Sequence, residues 1–548
     1  MFERIRNFLG WSPPAGAIAR MDTSEGAITA ALESYRDARM DGPTEISMWR
    51  PRLASADKAV LKDGATIRAR ARDLVRNNVH AKNAVRMVRD SVSGSGLKLA
   101  LNIDWRTLGL KDIEAAAEWQ DHVTRLWEAW AESSEFEADA RRQLTFSQLF
   151  ALADITDFVD GESLAIIEMK QGFGEYLTCL NLVDIDRLSN PQGMMDSGSL
   201  RGGITRDAYG EALAYHIREG HPADVGLGLN SFTWKTVPRV TEWGRPIVLH
   251  SFDHGRPEQT RGVSEFAAAI TPMKMLQQYE DTELQSAIVQ AAYAAVIKTE
   301  LDWTSAMQVL GAQVRGGSAG GADNPMINMV TAHLTNAAKF YEGQDITWQG
   351  SKIPHLMPNE SLEVIRSTHP NSNFDNFENN FIRKFAAGLG VEAHELSKNY
   401  KDVNYSAARA ALLAVWRTYR TRRNRRCSQF AMPFFNAWLE EAVAIGAVQL
   451  PDGVPDYLAA KPYLVKGTFI AWGKPMVDPY KERQAQNLGM QMGVETMQEI
   501  AAEEGQNWRD NLDQIAYERQ YRQKLGIPDP STPGIDPAMM VTDEKEEA

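Results

Sequence analysis

Between Arg68 and Lys98 the chain reads RARARDLVRNNVHAKNAVRMVRDSVSGSGLK. Eight of these residues are Arg or Lys and only Asp73 and Asp90 are acidic, in a protein whose formal net charge is -13. Burying an unpaired charge is costly, so a segment this basic restricts what its helices can pack against. Two readings are open. A basic island in an acidic chain invites contact with nucleic acid. The plainer reading is a helical pair whose arginines lie on solvated or intersubunit faces. The acidity of the whole disfavours nonspecific coating of nucleic acid and suits a surface that lets a polyanion pass without sticking.

A length of 548 residues allows two to four compact domains or one elongated multi-region subunit. No uninterrupted apolar run reaches the ~18 residues needed to span a bilayer. The N-terminal MFERIRNFLGW lacks the apolar centre of a signal peptide; its Phe2, Ile5, Phe8 and Leu9 form a short docking or core face. Two cysteines, Cys179 and Cys427, are too few for a disulfide framework and fit a reducing compartment.

Hydrophobic periodicity predicts an α+β subunit. Residues 11–64 carry breakers (Pro13-Pro14, Asp41-Gly42-Pro43, Arg50-Pro51) and read as an arm. Helical patterning covers 67–92, broken at Asn77-Asn78 and stopped at Gly94–Gly96, before a strand at Leu97–Leu99. Trp119, Val123, Leu126, Trp127 and Trp130 mark one face of a helix over 111–132. A helix near 145–158 runs through Asp160-Gly161 into a strand at 163–169, and the chain is strand-rich to about 252. A long helix from Pro272 to Lys298 would extend roughly 40 Å; its alanine-rich second half suits close packing on neighbours or burial in a core. Strands are expected around 339–348 and 361–365, and a helix over 376–388. A polar loop over 391–403 follows, then a helix from Asn404 to about Met432 that Pro433 should kink or break before 434–445 continues, and a helical region at 480–504. The last residues, PDPSTPGIDPAMMVTDEKEEA, read as disordered.

No catalytic, cofactor-binding or metal site is expected. Gly467–Lys474 (GTFIAWGK) is one residue too long for a phosphate loop, Pro475 stands where a Ser or Thr must bind magnesium, and bulky Phe469, Ile470 and Trp472 leave no flexible glycine cradle. Asp154, Asp157, Asp160 and Glu162 lack the alternation of a calcium loop; their spacing puts the first carboxylates on a solvated helix face. His394-Glu395 has no second histidine of a zinc motif. A second basic cluster, RTYRTRRNRR at Arg417–Arg426, carries six arginines. On a helix, Arg422, Arg425 and Arg426 share an outer charged face, available to a neighbour's acidic surface, while Leu412, Val415, Trp416 and Tyr419 line another.

Several segments together resemble the lambda-type family of tailed-phage portal proteins. These are Trp49 with Ser55-Ala56-Asp57, the basic stretch 67–99, the Trp-rich helix, Asp160-Gly161-Glu162, Arg261-Gly262-Val263-Ser264 and Asn404-Tyr405-Ser406-Ala407-Ala408-Arg409-Ala410. Trp472-Gly473, Asp478-Pro479, Lys481-Glu482 and Glu499-Ile500-Ala501 follow in family order. The resemblance implies a non-enzymatic, usually dodecameric ring at one capsid vertex of a virion, assembled in the host bacterial cytoplasm. It implies double-stranded DNA driven through the ring by a separate terminase, contacts with capsid or scaffold proteins, later docking of head-completion or tail-connector proteins, and no membrane. It also implies an architecture: an arm (1–66), an α+β wing (67–260), a first stem helix (261–300), a clip (301–371) and a second stem helix (372–390). A tunnel loop (391–403), a long helix returning to the wing (404–476), a helical crown (477–525) and a disordered tail (526–548) complete it. Lys398 and Lys401 would face passing DNA from the tunnel loop as mobile point charges on phosphates. The alternative is a soluble helical nucleic-acid-binding protein using basic faces 68–98 and 417–426. A third possibility, an enzyme with an unrecognised carboxylate site, would depend on Asp157 and Asp160.

Overall fold

The computed structural model describes Met48 and residues 51–527, apart from 173, 225–231, 293–295, 402–403, 472, 474–477 and most of 300–373; within that last span only 332, 335, 339, 347–348, 351–352 and 360–363 are described. The expected amphipathic N-terminal face, nearly all of the clip and the tail beyond residue 527 lie outside the described residues. The chain divides into two units, Met1–Ala59 and Val60–Ala548. The described part of the first ends in a short helix, α1 (Ala56–Val60); everything below concerns the second.

The expected α+β character is present. The basic stretch forms two helices, α2 (Gly64–Asn77) and α3 (Val79–Val92). Asn78 separates them in an extended conformation, and its side chain accepts hydrogen bonds from the backbone N–H groups of His80 and Ala81, capping α3. Strand β1 (Lys98–Leu101) follows, then α4 (Ile113–Ala131) and α5 (Phe146–Asp160). Trp127 is the centre of the main core: its ring packs edge-on against Phe146, Phe435 and Trp438 at 5.1–5.3 Å between centroids. Phe434 and Phe469 complete the cluster, which joins α4 and α5 to residues of the 434–469 region, far along the chain.

Strand β2 (Glu162–Met169) is central to a three-stranded antiparallel sheet, with β3 (Thr178–Val183) on one side and β8 (Val248–Phe252) on the other. Because alternate side chains point to opposite faces, its Ala165 and Ile167 enter the main core while Leu164 and Ile166 enter a second, smaller one. The smaller core is covered by a meander of β4 (Leu200–Arg201), β5 (Ile204–Arg206), β6 (Ala212–Arg218) and β7 (Trp234–Pro238).

Helix α6 (Ile270–Ala292) stops short of the expected Lys298; β9 (Val296–Thr299) takes over and pairs antiparallel with β12 (Glu360–Glu363). The β-branched Val296, Ile297 and Thr299 suit that pairing better than a helix. Between these strands lies the short hairpin β10 (Thr347–Trp348) with β11 (Ser351–Lys352). Helix α7 (Phe374–Leu389) follows, and the expected polar loop holds a short helix, α8 (Ala393–Ser397).

Helix α9 (Tyr405–Arg426) passes through a π-turn at Cys427–Ala431 into α10 (Met432–Ala444). Pro433 therefore does not break the run: it sits in the first turn of α10, and the π-turn just before it absorbs the missing donor. Helix α11 (Tyr457–Leu464) leads to β13 (Gly467–Ile470), which pairs with β1. The C-terminal helical region is three helices, α12 (Pro479–Gln491), α13 (Met497–Glu503) and α14 (Trp508–Leu525), of which α12 and α14 have no buried residue.

Candidate nucleic-acid interface

Three charged features of the sequence converge. From α2, Arg72 forms a bidentate pair with Asp160 (Nε–Oδ1 2.7 Å, Nη2–Oδ2 2.8 Å) and reaches Asp186 at 2.7 Å and Asp184 at 3.1 Å. The hydrogen bond to Asp160 raises the already high pKa of Arg72. Arg68, one turn earlier, binds Asp186 at 3.0 Å and lies 3.7 Å from Glu162. Only Arg70, Arg76, Lys82, Arg86 and Arg89 of this stretch's helical arginines and lysines remain exposed, and Arg89 is paired with Asp90.

The face of α9 expected to be its charged exterior is turned inward. Arg422 binds Glu265 at 2.7 Å and covers the Phe158 ring. Arg425 binds Asp157 at 2.7 Å. Arg426 is fully buried and donates to Ser163 Oγ at 2.8 Å. Arg423 donates to the carbonyls of Ser91 and Val92, the last of α3, where a cation also meets the negative end of the helix dipole. Helical spacing grouped Arg422, Arg425 and Arg426 on one face. What it lacked were the acidic partners, Asp157 on α5 and Glu265 just before α6.

Asp157 belongs to the acidic cluster, whose expected solvated placement is wrong. Asp154, Asp157, Asp160 and Glu162 are all buried. Glu162 accepts from Arg261 Nε at 2.8 and 2.9 Å, from the Gly262 backbone N–H at 3.1 Å, and from His250 Nε2 at 2.9 Å. Burial alone would push this carboxyl up, but Arg261 and the His250 hydrogen bond hold it well below the usual carboxylate range. Arg261 spends a further donor on the carbonyl of Gly202 at 2.6 Å. Two glycines let the segments approach: a Cβ on Gly262 would stand 2.0 Å from the Gly161 carbonyl oxygen, and one on Gly161, which has φ 90°, would stand 2.2 Å from the Val263 backbone. Asp160-Gly161-Glu162 and Arg261-Gly262-Val263-Ser264 thus form one junction just before α6.

Asp154 differs from its neighbours. It is wholly buried, and neither carboxylate oxygen has a hydrogen-bond partner among the described residues. Burial pushes its pKa up to about 6 against the pull of Arg426 and Arg422. Asp157 and Asp160, the proposed carboxylates of an enzyme, are held by Arg425 and Arg72. The segment tested as a phosphate loop begins in strand β13. Burial raises both thiols, Cys427 to about 12, which leaves them unreactive.

The 391–403 segment is anchored at its base and open at its tip. Val391 and Leu396 are buried, and Asn83 of α3 donates to the carbonyls of Glu395 and Leu396 at 3.0 and 2.9 Å. Lys398 ends α8 in the left-handed conformation (φ 55°), with its side chain 60% exposed and Nζ 3.8 Å from Glu395. Asn399, Tyr400 and Lys401 are exposed, and Lys401 makes no ion pair with a described residue. Beneath the tip, Leu412, Val415, Trp416 and Tyr419 line a cleft of about 560 Å³ rimmed by Asp90, Glu392 and Glu395. The basic groups of this region are therefore few: one free lysine, and one shared with a carboxylate.

The family model described as phage portal protein, lambda family, matches residues 42–423. The portal protein of Escherichia phage N15 is 32% identical over 487 residues, covering 88% of this chain and 89% of that protein. Portal protein B of Escherichia phage lambda is 32% identical over 491 residues, covering 89% of both. Among solved structures, a chain from the neck of a native gene transfer agent particle aligns over 88% of this chain and 95% of its own, with 12% identity and a TM-score of 0.41.

Proposed function

Because the chain belongs to the lambda family of phage portal proteins, we propose that it assembles into a ring, in the capsid a dodecamer, whose channel passes double-stranded DNA at one vertex. A separate terminase drives the DNA inward, and the same channel releases it on ejection. Capsid or scaffold proteins surround the ring, and head-completion or tail-connector proteins dock on it. Assembly takes place in the host cytoplasm, and the ring then remains part of the virion. The chain is the conduit and performs no catalysis of its own.

In this reading 67–260 and 404–476 make the wing. That these two segments share the Trp127 core and the β1–β13 pairing favours treating them as one body. Helices α6 and α7 form the stem, residues 301–371 the clip, and α12 to α14 the crown. The 391–403 segment projects into the tunnel with Lys398 and Lys401. Its contacts would be to phosphates alone, as a channel open to every base sequence requires.

The observation that carries this reading is the ordered likeness to portal proteins over nearly nine tenths of the chain. The rival DNA-binding protein loses its second basic face, since Arg422, Arg423, Arg425 and Arg426 are occupied inside the chain. Native mass spectrometry with negative-stain microscopy of the purified protein tests the proposal. A closed ring with an axial hole supports it; a stable monomer with salt-sensitive DNA affinity would overturn it.

A further inference from the structure

His80, Glu280 and Glu378 come from three different helices, and one potential ligand atom from each lies within 4.8 Å of the other two. His80 is in the first turn of α3, held there by the Asn78 cap. Glu280 is on α6 and Glu378 on α7. These two helices are locked side by side here: Tyr279, next to Glu280, packs on Phe374 and Phe377 with ring centroids 5.7 and 4.8 Å apart. All three ligand residues are half-buried.

In the interior network, the clustered Asp157, Asp160 and Glu162 are each paired with a guanidinium. The other convergent group, Asp184, Asp186 and His221, is of that kind, because Arg72 binds both of its aspartates and Arg68 binds Asp186. Glu280 and Glu378 have no such counterion among the described residues, and their side chains make no hydrogen bond there. Burial and the neighbouring Glu378 charge both push the Glu280 carboxyl up. Two like charges are thus brought together beside an imidazole, with no internal cation to offset them.

We propose that His80, Glu280 and Glu378 form a binding site for a divalent cation of the zinc class, one that ties the α6–α7 pair to α3. One imidazole and two carboxylates supply three protein ligands, and water completes a tetrahedron. Imidazole favours zinc-like ions over magnesium or calcium, which select all-oxygen sites. Bonds of about 2.0 Å place tetrahedral ligand atoms roughly 3.3 Å apart. The two glutamates must therefore close by at most about 1.5 Å, a small rotamer adjustment at the ends of flexible side chains.

The test uses the full chain, treated with EDTA, dialysed, and titrated with ZnCl2 by calorimetry and by thermal unfolding. The expected result is one tight equivalent per chain and a rise in Tm, with binding weakened at least tenfold in His80→Asn, Glu280→Gln and Glu378→Gln. The metal-free glutamine variants should unfold no earlier than the metal-free wild type, because each removes the like-charge contact; this separates a ligand role from a structural one. Equal zinc affinity in wild type and all three variants would place the ion elsewhere. No binding, or magnesium binding as tightly as zinc, would equally overturn the site.

Discussion

Around Glu162, Arg261, Arg68, His250 and a backbone N–H converge on one carboxylate that has no exposed surface. Around Lys401, the two lysines of the 391–403 segment stand in solvent, and the one lysine ion pair described there is the partial one between Lys398 and Glu395. Both regions are dense in charged residues. They differ in whether opposite charges from distant parts of the chain come within reach. At the junction they do, and the charges fix three chain segments against one another. At the 391–403 tip they do not, and the charge stays available to an outside ligand.

The contrast is most easily broken at Glu162. Glu162→Gln keeps the shape but leaves Arg261 charged, buried and without a carboxylate; removing one partner of a buried pair costs about 3–5 kcal/mol. Denaturant unfolding of the purified protein should show a loss of that size. The double change Glu162→Met with Arg261→Met should recover part of it, because a buried pair replaced jointly by apolar groups is often near neutral. The carbonyls of Gly202 and Leu188, left without their donor, limit the recovery. A Glu162→Gln variant within 1 kcal/mol of wild type would mean that the junction is not held by charge.

A smaller effect separates two acids inside the same network. The Glu162 pKa is lowered on folding, so its contribution is present at neutral pH and is lost as the pH falls into the acid range. The Asp154 pKa is raised to about 6, so its ionised form opposes folding above that pH, and the penalty fades toward pH 4. Asp154→Asn should accordingly stabilise the protein at pH 7.5 by something on the order of 1–3 kcal/mol. The gain should shrink at pH 5 and vanish near pH 4. Unfolding curves of both proteins at the three pH values measure it, and a difference independent of pH would show that folding does not raise the Asp154 pKa.

Much of this fold was legible from local pattern. The Trp-rich face of α4, the Asn78 break and the run from α5 into β2 all lie where periodicity and capping residues put them. What was not legible was pairing at long range. Arg72 meets Asp160, and Arg425 meets Asp157 from 268 residues away, so three segments read separately as solvated are one interior network. Helix α6 fails at its end for the same reason: the partner that converts 296–299 to strand lies at 360–363. The motifs Asp160-Gly161-Glu162 and Arg261-Gly262 were visible as family features, but their physical role, two backbones in contact over a buried ion pair, needed coordinates. Lys398 and Lys401, expected on a polar loop, stand exposed; the short helix beneath them and its carboxylate partner were not foreseen.

The smallest expected change in stability belongs to that tip, and it sharpens the comparison most. Lys398→Ala with Lys401→Ala removes one free charge and one exposed i,i+3 pair, which is worth at most about 0.5 kcal/mol. Both lysines already carry a Cβ, so the left-handed backbone at 398 is strained no further. The double variant should unfold within about 2 °C of wild type and assemble normally, with any loss confined to packaging or retention of DNA. Loss of assembly would show that the segment joins subunits rather than lining a tunnel. The single variants divide the effect: Glu395 already offsets Lys398, so Lys401→Ala should account for most of a packaging defect. An equal share from Lys398→Ala would mean that the Glu395 contact opens when DNA arrives, and that the phosphate wins the lysine from its carboxylate.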